Sequence, residues 1–269
     1  VWLYFYRIFI TDQQVGVLDG LAFAIGLLAE VPSGALADKF GRDKVVRTGQ
    51  ILAGGGLLIQ AFGSSFMPFF AGQAIMMIGV SLVSGADEAL FFERLKFDKK
   101  STDWRKLVTQ GSQVALVGTF VATIAGGWLH TIEPRLPWIL NGLVFIVSAI
   151  LIWSVKDDRP KKVRQKFVPE LKDYLFDIKT GFAQFRLPKL WLYVPFIITV
   201  QGLFYTTGYG LLRLILLDRF HFDPFWGSVA IAMSSLITVG VLGYMHKNAD
   251  NLSEKKVLTI IGLMAGSSL

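Results

Sequence analysis

Gly34-Ala35-Leu36-Ala37-Asp38-Lys39-Phe40-Gly41-Arg42-Asp43-Lys44 is a short run of glycines and paired charges set between two long apolar stretches. Glycine permits a turn, or a close approach of helices, that a side chain would block. Asp38 beside Lys39, Arg42 and Lys44 places a charge cluster where an apolar segment has just ended. The pattern predicts the cytoplasmic elbow of a helical hairpin in a membrane.

The composition around that elbow agrees with it. Hydrophobic residues make up 53% of the 269 residues and charged residues 17%, too few charges to coat a globular surface, and the mean hydropathy is +0.51. Apolar runs of about 18 or more residues recur, the length a helix needs to cross a bilayer. The class is an all-α, polytopic membrane protein. Without cysteine, disulfides and iron–sulfur ligation are excluded. The chain opens on Val1 with no basic stretch leading into a cleavage site, and closes within an apolar run. The expectation is a piece of a longer protein, lacking the start of its first helix and everything after its ninth.

Working outward, Val1–Ile10 reads as the outer end of a first helix and Thr11–Gln14 as a short loop. A second span covers about Val15 to Ala37, broken by Asp19 and Glu30. Beyond the elbow come spans at about Val45–Gly63, Phe66–Ala86, Leu107–Leu129 and Trp138–Val155. A polar segment from Lys156 to Pro188 follows, in which Leu171, Tyr174, Leu175, Ile178, Phe182 and Phe185 share one helical face, as in an amphipathic helix on a bilayer surface. Spans seven (about Leu190–Leu217) and eight (about Phe225–Met245) come next, and a ninth starts near Val257. Of 27 basic residues only Arg7, Arg135, Arg213 and Arg219 fall on or near the side opposite the elbow. That bias is the positive-inside rule and makes the elbow side cytoplasmic. Basic residues spread over separate loops contact lipid headgroups, not nucleic acid. One common offset aligns Asp12 with Asp223, Gly16 with Gly227, Lys44 with Lys255, Val46 with Val257 and Gly55 with Gly266, the mark of a parallel repeat.

The elbow resembles motif A of the major facilitator superfamily, G-x-L-A-D-[RK]-x-G-[RK]-[RK], which lies between the second and third helices of that family. Glu30-Val-Pro32-Ser-Gly34 and Ser84-Gly-Ala-Asp-Glu88-Ala-Leu look like further features of one bacterial branch. The resemblance implies a bundle of two six-helix halves, here residues 1–155 as the amino-terminal half, 156–189 as a cytoplasmic central loop, and 190–269 as the start of an incomplete second half. It also implies a multi-pass protein of a bacterial cytoplasmic membrane. Asp43 departs from the motif, which has a basic residue there. The fourth-helix arginine typical of proton-coupled antiporters is missing between Phe66 and Ala86, and the fifth-helix antiporter motif is degraded at Ala122-Thr123-Ile-Ala-Gly126-Gly127.

Candidate functional residues follow from both readings. Gly34, Asp38, Lys39, Gly41 and Arg42 form a candidate cytoplasmic gate, because a carboxylate at a helix end can cap backbone donors and pair with cations. The resemblance implies that Arg42 or Lys39 reaches Asp87, Glu88 or Glu93; the plainer alternative is a topology-setting loop with exposed ion pairs of little worth. Glu30 lies roughly 12 Å along the helix axis from Asp38. At that depth an ionisable group is a candidate proton site, with burial raising its pKa, or else a structural hydrogen-bonding group. In this family spans one, four and seven line the cavity. They offer Tyr4, Arg7 and Gln73, with Gln201, Tyr205 and Tyr209 on one face of span seven; aromatic packing is the plain alternative. Gly54-Gly55-Gly56 lacks the lysine of a phosphate loop and reads as helix packing.

The expectation is a secondary active transporter, not an enzyme, that moves a small molecule across the lipid bilayer by alternating access. It needs no cofactor or metal, and a proton or other ion is a candidate coupling partner. Efflux of a hydrophobic or amphiphilic compound is the first expectation for cargo and direction. Two alternatives stay open: an importer or uniporter of a small metabolite, and a sensor or scaffold of the same fold that does not transport.

Overall fold

The computed structural model describes residues 2–84, 86–97, 104–154, 219 and 223–233. The described segments are helical, with no strand among them. In order they are α1 (Trp2–Tyr6), α2 (Asp12–Phe40), α3 (Arg42–Phe62), α4 (Phe66–Ser84), α5 (Asp87–Phe97), α6 (Trp104–Ile132) and α7 (Leu136–Ile152), followed by the short apolar helix Pro224–Met233. Phe66–Phe97, which joins α4 and α5, and Gln110–Ile132 of α6 are long and apolar enough to cross a membrane. So is α2, when its arms Asp12–Glu30 and Pro32–Phe40 are taken as one bent span. α3 mixes Arg47, Gln50 and Gln60 into its apolar run, and α7 is apolar but shorter. The helices match the sequence-derived spans to within a few residues, and α5, which has no counterpart among those spans, is an additional helix. The central loop and its amphipathic helix, and spans seven and nine, lie outside the described residues.

By contacts the chain divides into two compact units. One comprises Trp2–Gly111 and Ile132–Asp177; the other comprises Ser112–Thr131 and Ile178–Leu269, together with Val1.

In the first unit α3 is the central helix, packed against α4 and α7, while α2 packs against α4. Three consecutive glycines show why α3 can serve two neighbours. A Cβ on Gly56 would strike the Gly72 carbonyl and come within 2.6 Å of the Met76 backbone nitrogen in α4. A Cβ on Gly54 would lie 2.7 Å from the Gly142 carbonyl in α7, whereas one on Gly55 would meet nothing within 4 Å among the described residues. At about 100° per residue, positions two apart in a helix face opposite neighbours. Gly54 and Gly56 are therefore helix-packing positions, where a missing side chain lets backbones touch.

α2 starts on a capping box: Gln14 N–H donates to Thr11 Oγ1 at 3.3 Å, and Thr11 N–H donates to Gln14 Oε1 at 3.0 Å. Its two arms meet at an angle of 46° next to Pro32. Proline lacks the amide donor and crowds the preceding turn, which accounts for the bend. α2 ends at Gly41, the one residue between it and α3, with φ 99° and an N–H bonded to the Ala37 carbonyl at 3.1 Å. Side-chain-bearing residues rarely adopt that φ, so glycine lets the chain reverse in one step.

In the second unit the described portions of α6 and Pro224–Met233 approach closely. A Cβ on Gly127 would fall 2.5 Å from the Ser228 side chain and 3.2 Å from the Pro224 carbonyl. Asp223 accepts a bond from Phe225 N–H at 2.8 Å where that helix begins, so Asp12 and Asp223, aligned by the repeat offset, both lie at helix starts.

Candidate functional site

The elbow rests on an apolar floor. Ala37 of α2, Val45 and Val46 of α3, Ala86 and Leu90 pack as one buried cluster, flanked by Leu36, Leu82, Val83 and Ile152. α2, α3, α4, α5 and α7 all meet there. Removing this apolar area from water supplies the non-directional part of the attachment, roughly 25 cal/mol per Å².

Charged groups cap that floor in two separate sets. In the first, Arg42 pairs with Asp38 one turn earlier at 3.3 Å and with Glu93 of α5 at 2.9 Å. Arg42 is 20% exposed and Glu93 30%, while Asp38 is 55% exposed. The shielded Arg42–Glu93 pair is therefore the stronger, and one guanidinium ties α2, α3 and α5 together. In the second set, Arg47 pairs with Asp43 at 3.4 Å within α3, and its guanidinium lies 4.8 Å from the Trp153 ring centroid. Both members are largely shielded, at 19% and 16% side-chain exposure. This gives Asp43, the residue that departs from the motif, a definite role: it orients Arg47, which stacks on the aromatic ring just past α7.

Other elbow residues are placed as follows. Lys39 lies with its ammonium 5.2 Å from the Phe40 ring centroid. A Cβ on Gly34 would meet nothing within 4 Å among the described residues, so its glycine is not required by packing there. Asp87 accepts a bond from Glu88 N–H at 2.7 Å at the start of α5, and Glu88 is exposed. Of the three expected partners, the structure brings Glu93 to Arg42. Glu30 ends the first arm of α2 with an exposed side chain, and its carbonyl accepts from Ser33 Oγ at 2.8 Å. The described residues thus do not supply the burial expected of it.

The candidate cavity residues of span one and span four lie at the opposite end of the unit. Arg7 grips Asp12 through two hydrogen bonds, Nε to Oδ1 at 2.7 Å and a terminal nitrogen to Oδ2 at 2.9 Å. Tyr4 is half-buried. Gln73 accepts from the Tyr6 hydroxyl at 3.5 Å, and the same hydroxyl donates to Gln60 Oε1. Gln60 in turn donates to the Gly56 carbonyl at 3.2 Å. Tyr6 and Gln60 are 1% and 0% exposed, packed among Phe5, Phe69 and Trp138. This buried polar knot links α1, α3 and α4. Sequence reasoning missed it, because Tyr6 and Gln60 are far apart in the chain and nothing local pairs them. Gln201, Tyr205 and Tyr209 lie outside the described residues.

The profile of the Major Facilitator Superfamily matches residues 3–269. A protein of Saccharomyces cerevisiae described as a probable metabolite transport protein is 25% identical over 181 residues, 65% of this chain and 35% of its own length. The chain therefore spans about a third of that relative.

Proposed function

Because the chain belongs to the major facilitator superfamily, and is thus part of an integral, multi-pass helical membrane protein, we propose that it acts in secondary active transport of a small molecule by alternating access, with the elbow as its cytoplasmic gate. The observation that carries the gate is Arg42, held at once by Asp38 and Glu93 over an apolar floor. Such a cluster is stable while its partners stay in register and costs a desolvated charge when they separate. The cluster ties α2, α3 and α5 into one block at the elbow, which in this proposal moves as a piece when one half rocks against the other.

The description of the yeast relative supports a small metabolite as cargo. Outward movement of an amphiphilic compound is the second reading, favoured by the weakly charged, aromatic set Tyr4, Gln73, Gln201, Tyr205 and Tyr209. A proton or other ion gradient is the proposed driving force.

The test is counterflow in proteoliposomes holding the full-length protein, with a panel of radiolabelled sugars, amino acids and organic acids and a fluorescent amphiphilic cation. The proposal expects exchange of one class, reduced in Arg42→Gln. If no solute moves under any imposed gradient, transport is refuted and the sensor or scaffold alternative takes its place.

A further inference from the structure

The buried knot that joins α1, α3 and α4 has a direction, and a backbone carbonyl sets it. The Gly56 carbonyl can only accept a hydrogen bond, and Gln60 Nε2 donates to it at 3.2 Å. That contact fixes the Gln60 carboxamide with its nitrogen toward Gly56 and its oxygen toward α1, where the oxygen accepts from the Tyr6 hydroxyl. Tyr6 and Gln60 are 1% and 0% exposed, so neither can trade its partner for water. A hydroxyl carries one proton, and Gln60 takes it. What Tyr6 has left to offer Gln73 of α4 is a lone pair. The Gln73 oxygen, 3.5 Å away, lies beyond ordinary O–H···O reach. Carboxamide oxygen and nitrogen are alike in size, so a half-turn of the Gln73 amide presents N–H to the Tyr6 oxygen and displaces no neighbour.

That half-turn decides what the other end of Gln73 offers. Gln73 lies seven residues into α4, roughly 10 Å along the axis from its start, within a stretch long and apolar enough to cross a membrane. The other polar side chains of α4 are satisfied: Ser81 donates to the Gly26 carbonyl at 3.0 Å and Ser84 to the Ser81 carbonyl at 3.2 Å. Gln73 makes no hydrogen bond besides the one toward Tyr6 among the described residues. It is half-buried, and the end of its carboxamide turned away from Tyr6 is not sealed off. An unpartnered amide end in a membrane span belongs against water or a solute, not against hydrocarbon.

We infer that Gln73 reads a hydrogen-bond donor on the solute through its carbonyl oxygen, and that Tyr6 and Gln60 are positioning residues that hold this oxygen outward. Donation runs one way along the chain, from Gln73 to Tyr6 to Gln60 to the Gly56 carbonyl. A solute group that only accepts, such as a carboxylate, meets oxygen against oxygen. An ammonium group finds no counter-charge, because no member of the chain is charged. The subsite fits a neutral hydroxyl or amide N–H, as a polyol or sugar presents. The solute-reading role rests on the transport reading, and within it favours a small polar metabolite over an amphiphilic cation.

Two measurements on the full-length protein test it. Solid-state NMR in lipid bilayers reads the sense of the amide with no solute present, with the glutamine side-chain nitrogen and the hydroxyl-bearing tyrosine ring carbon isotopically labelled. A close dipolar contact between the labels should appear in the wild type and weaken in Gln73→Glu. A contact that Gln73→Glu leaves unchanged, or none at all, puts the oxygen toward Tyr6 and overturns the inference. The second measurement is counterflow in proteoliposomes with glucose, glycerol, succinate and a fluorescent amphiphilic cation. Glucose or glycerol should exchange in preference to the other two. Gln73→Met should raise KM about ten-fold and Tyr6→Phe about three-fold, with kcat within about two-fold of wild type. Damage to packing alone would lower kcat or the amount of folded protein instead. Should Tyr6→Phe fail to fold, Gln73→Met, at a half-buried position, still decides. An unchanged KM in Gln73→Met, or a preference for succinate or the cation, overturns the inference and leaves transport intact. Exchange of no probe refutes the transport reading and the solute-reading role with it.

Discussion

Glu93→Gln is the substitution that most directly weighs the elbow. The change keeps shape and hydrogen-bonding capacity and removes the charge that faces Arg42 across 2.9 Å. Two unit charges about 4 Å apart attract by about 4 kcal/mol at the effective dielectric of a partly shielded site. Desolvation of both groups, and the second pairing of Arg42 with Asp38, take back most of that. A net contribution of about 1–2 kcal/mol remains to the attachment of α5 to α3. An energy of that size changes a local opening equilibrium by a factor of about 5–30. Hydrogen exchange read by mass spectrometry on the full-length protein in nanodiscs measures it. Peptides covering Asp87–Phe97 should exchange about 5–30 times faster in Glu93→Gln, with Phe66–Ser84 unchanged. Glu88→Gln, altering an exposed carboxylate on the same helix, should leave both unchanged. If α5 keeps wild-type protection in Glu93→Gln, burial of Leu90 and Leu95 holds the helix by itself and the ion pair is not a latch.

Further predictions follow from packing and charge. Gly56→Ala places a methyl group against the backbone of Gly72 and Met76, which cannot yield as a side chain would, so thermal unfolding should show a loss of about 1–3 kcal/mol. Gly55→Ala, whose added methyl meets nothing within 4 Å among the described residues, should be close to neutral in the same assay. Asp43→Lys sets a like charge against Arg47 and should lower the melting temperature while changing Trp153 fluorescence; an unchanged melt and spectrum would remove the orienting role given to Asp43. The Arg7–Asp12 pair needs an ionised carboxylate facing the guanidinium at 2.7 Å, so its contribution is lost once acid protonates Asp12. Acid unfolding followed between about pH 5 and 2 should therefore be less steep in Asp12→Asn; an identical slope would show that the pair does not hold α1 to α2.

The parts of this structure that were legible in the sequence are those governed by local rules. Glycines and paired charges marked a turn between two apolar helices, and the positive φ of Gly41 supplies the reason; that the turn is one residue long, with Gly34–Phe40 still in α2, was not readable. Proline within an apolar span is a local signal for a bend, and the two arms of α2 meet at 46° next to Pro32. The Asp43–Arg47 pair also had a readable signal, since opposite charges four apart on a helix face one another. The partner of Arg42 was narrowed to three carboxylates and no further. Choosing Glu93 depends on α5 being a helix that starts at Asp87, which fixes its phase and commits Asp87 to the helix start. The knot of Tyr6, Gln60 and Gln73 was not legible at all. Its members lie on three helices, and a buried glutamine within an apolar run looks the same in sequence as one that faces a cavity.

Flux through the full-length protein tests the gate most directly, once counterflow has identified a solute. Asp38→Asn removes one of the two carboxylates holding Arg42 and leaves Glu93 in place. With the equilibrium between the two access states shifted by about 1 kcal/mol, the upper end for an exposed ion pair, gradient-driven flux should fall about five-fold. Equilibrium binding of the same solute should stay within about three-fold of wild type, a difference of about 0.7 kcal/mol. Wild-type flux in Asp38→Asn, or parallel loss of flux and binding, would contradict the assignment of the Gly34–Lys44 elbow as the device that opens and shuts the cytoplasmic side.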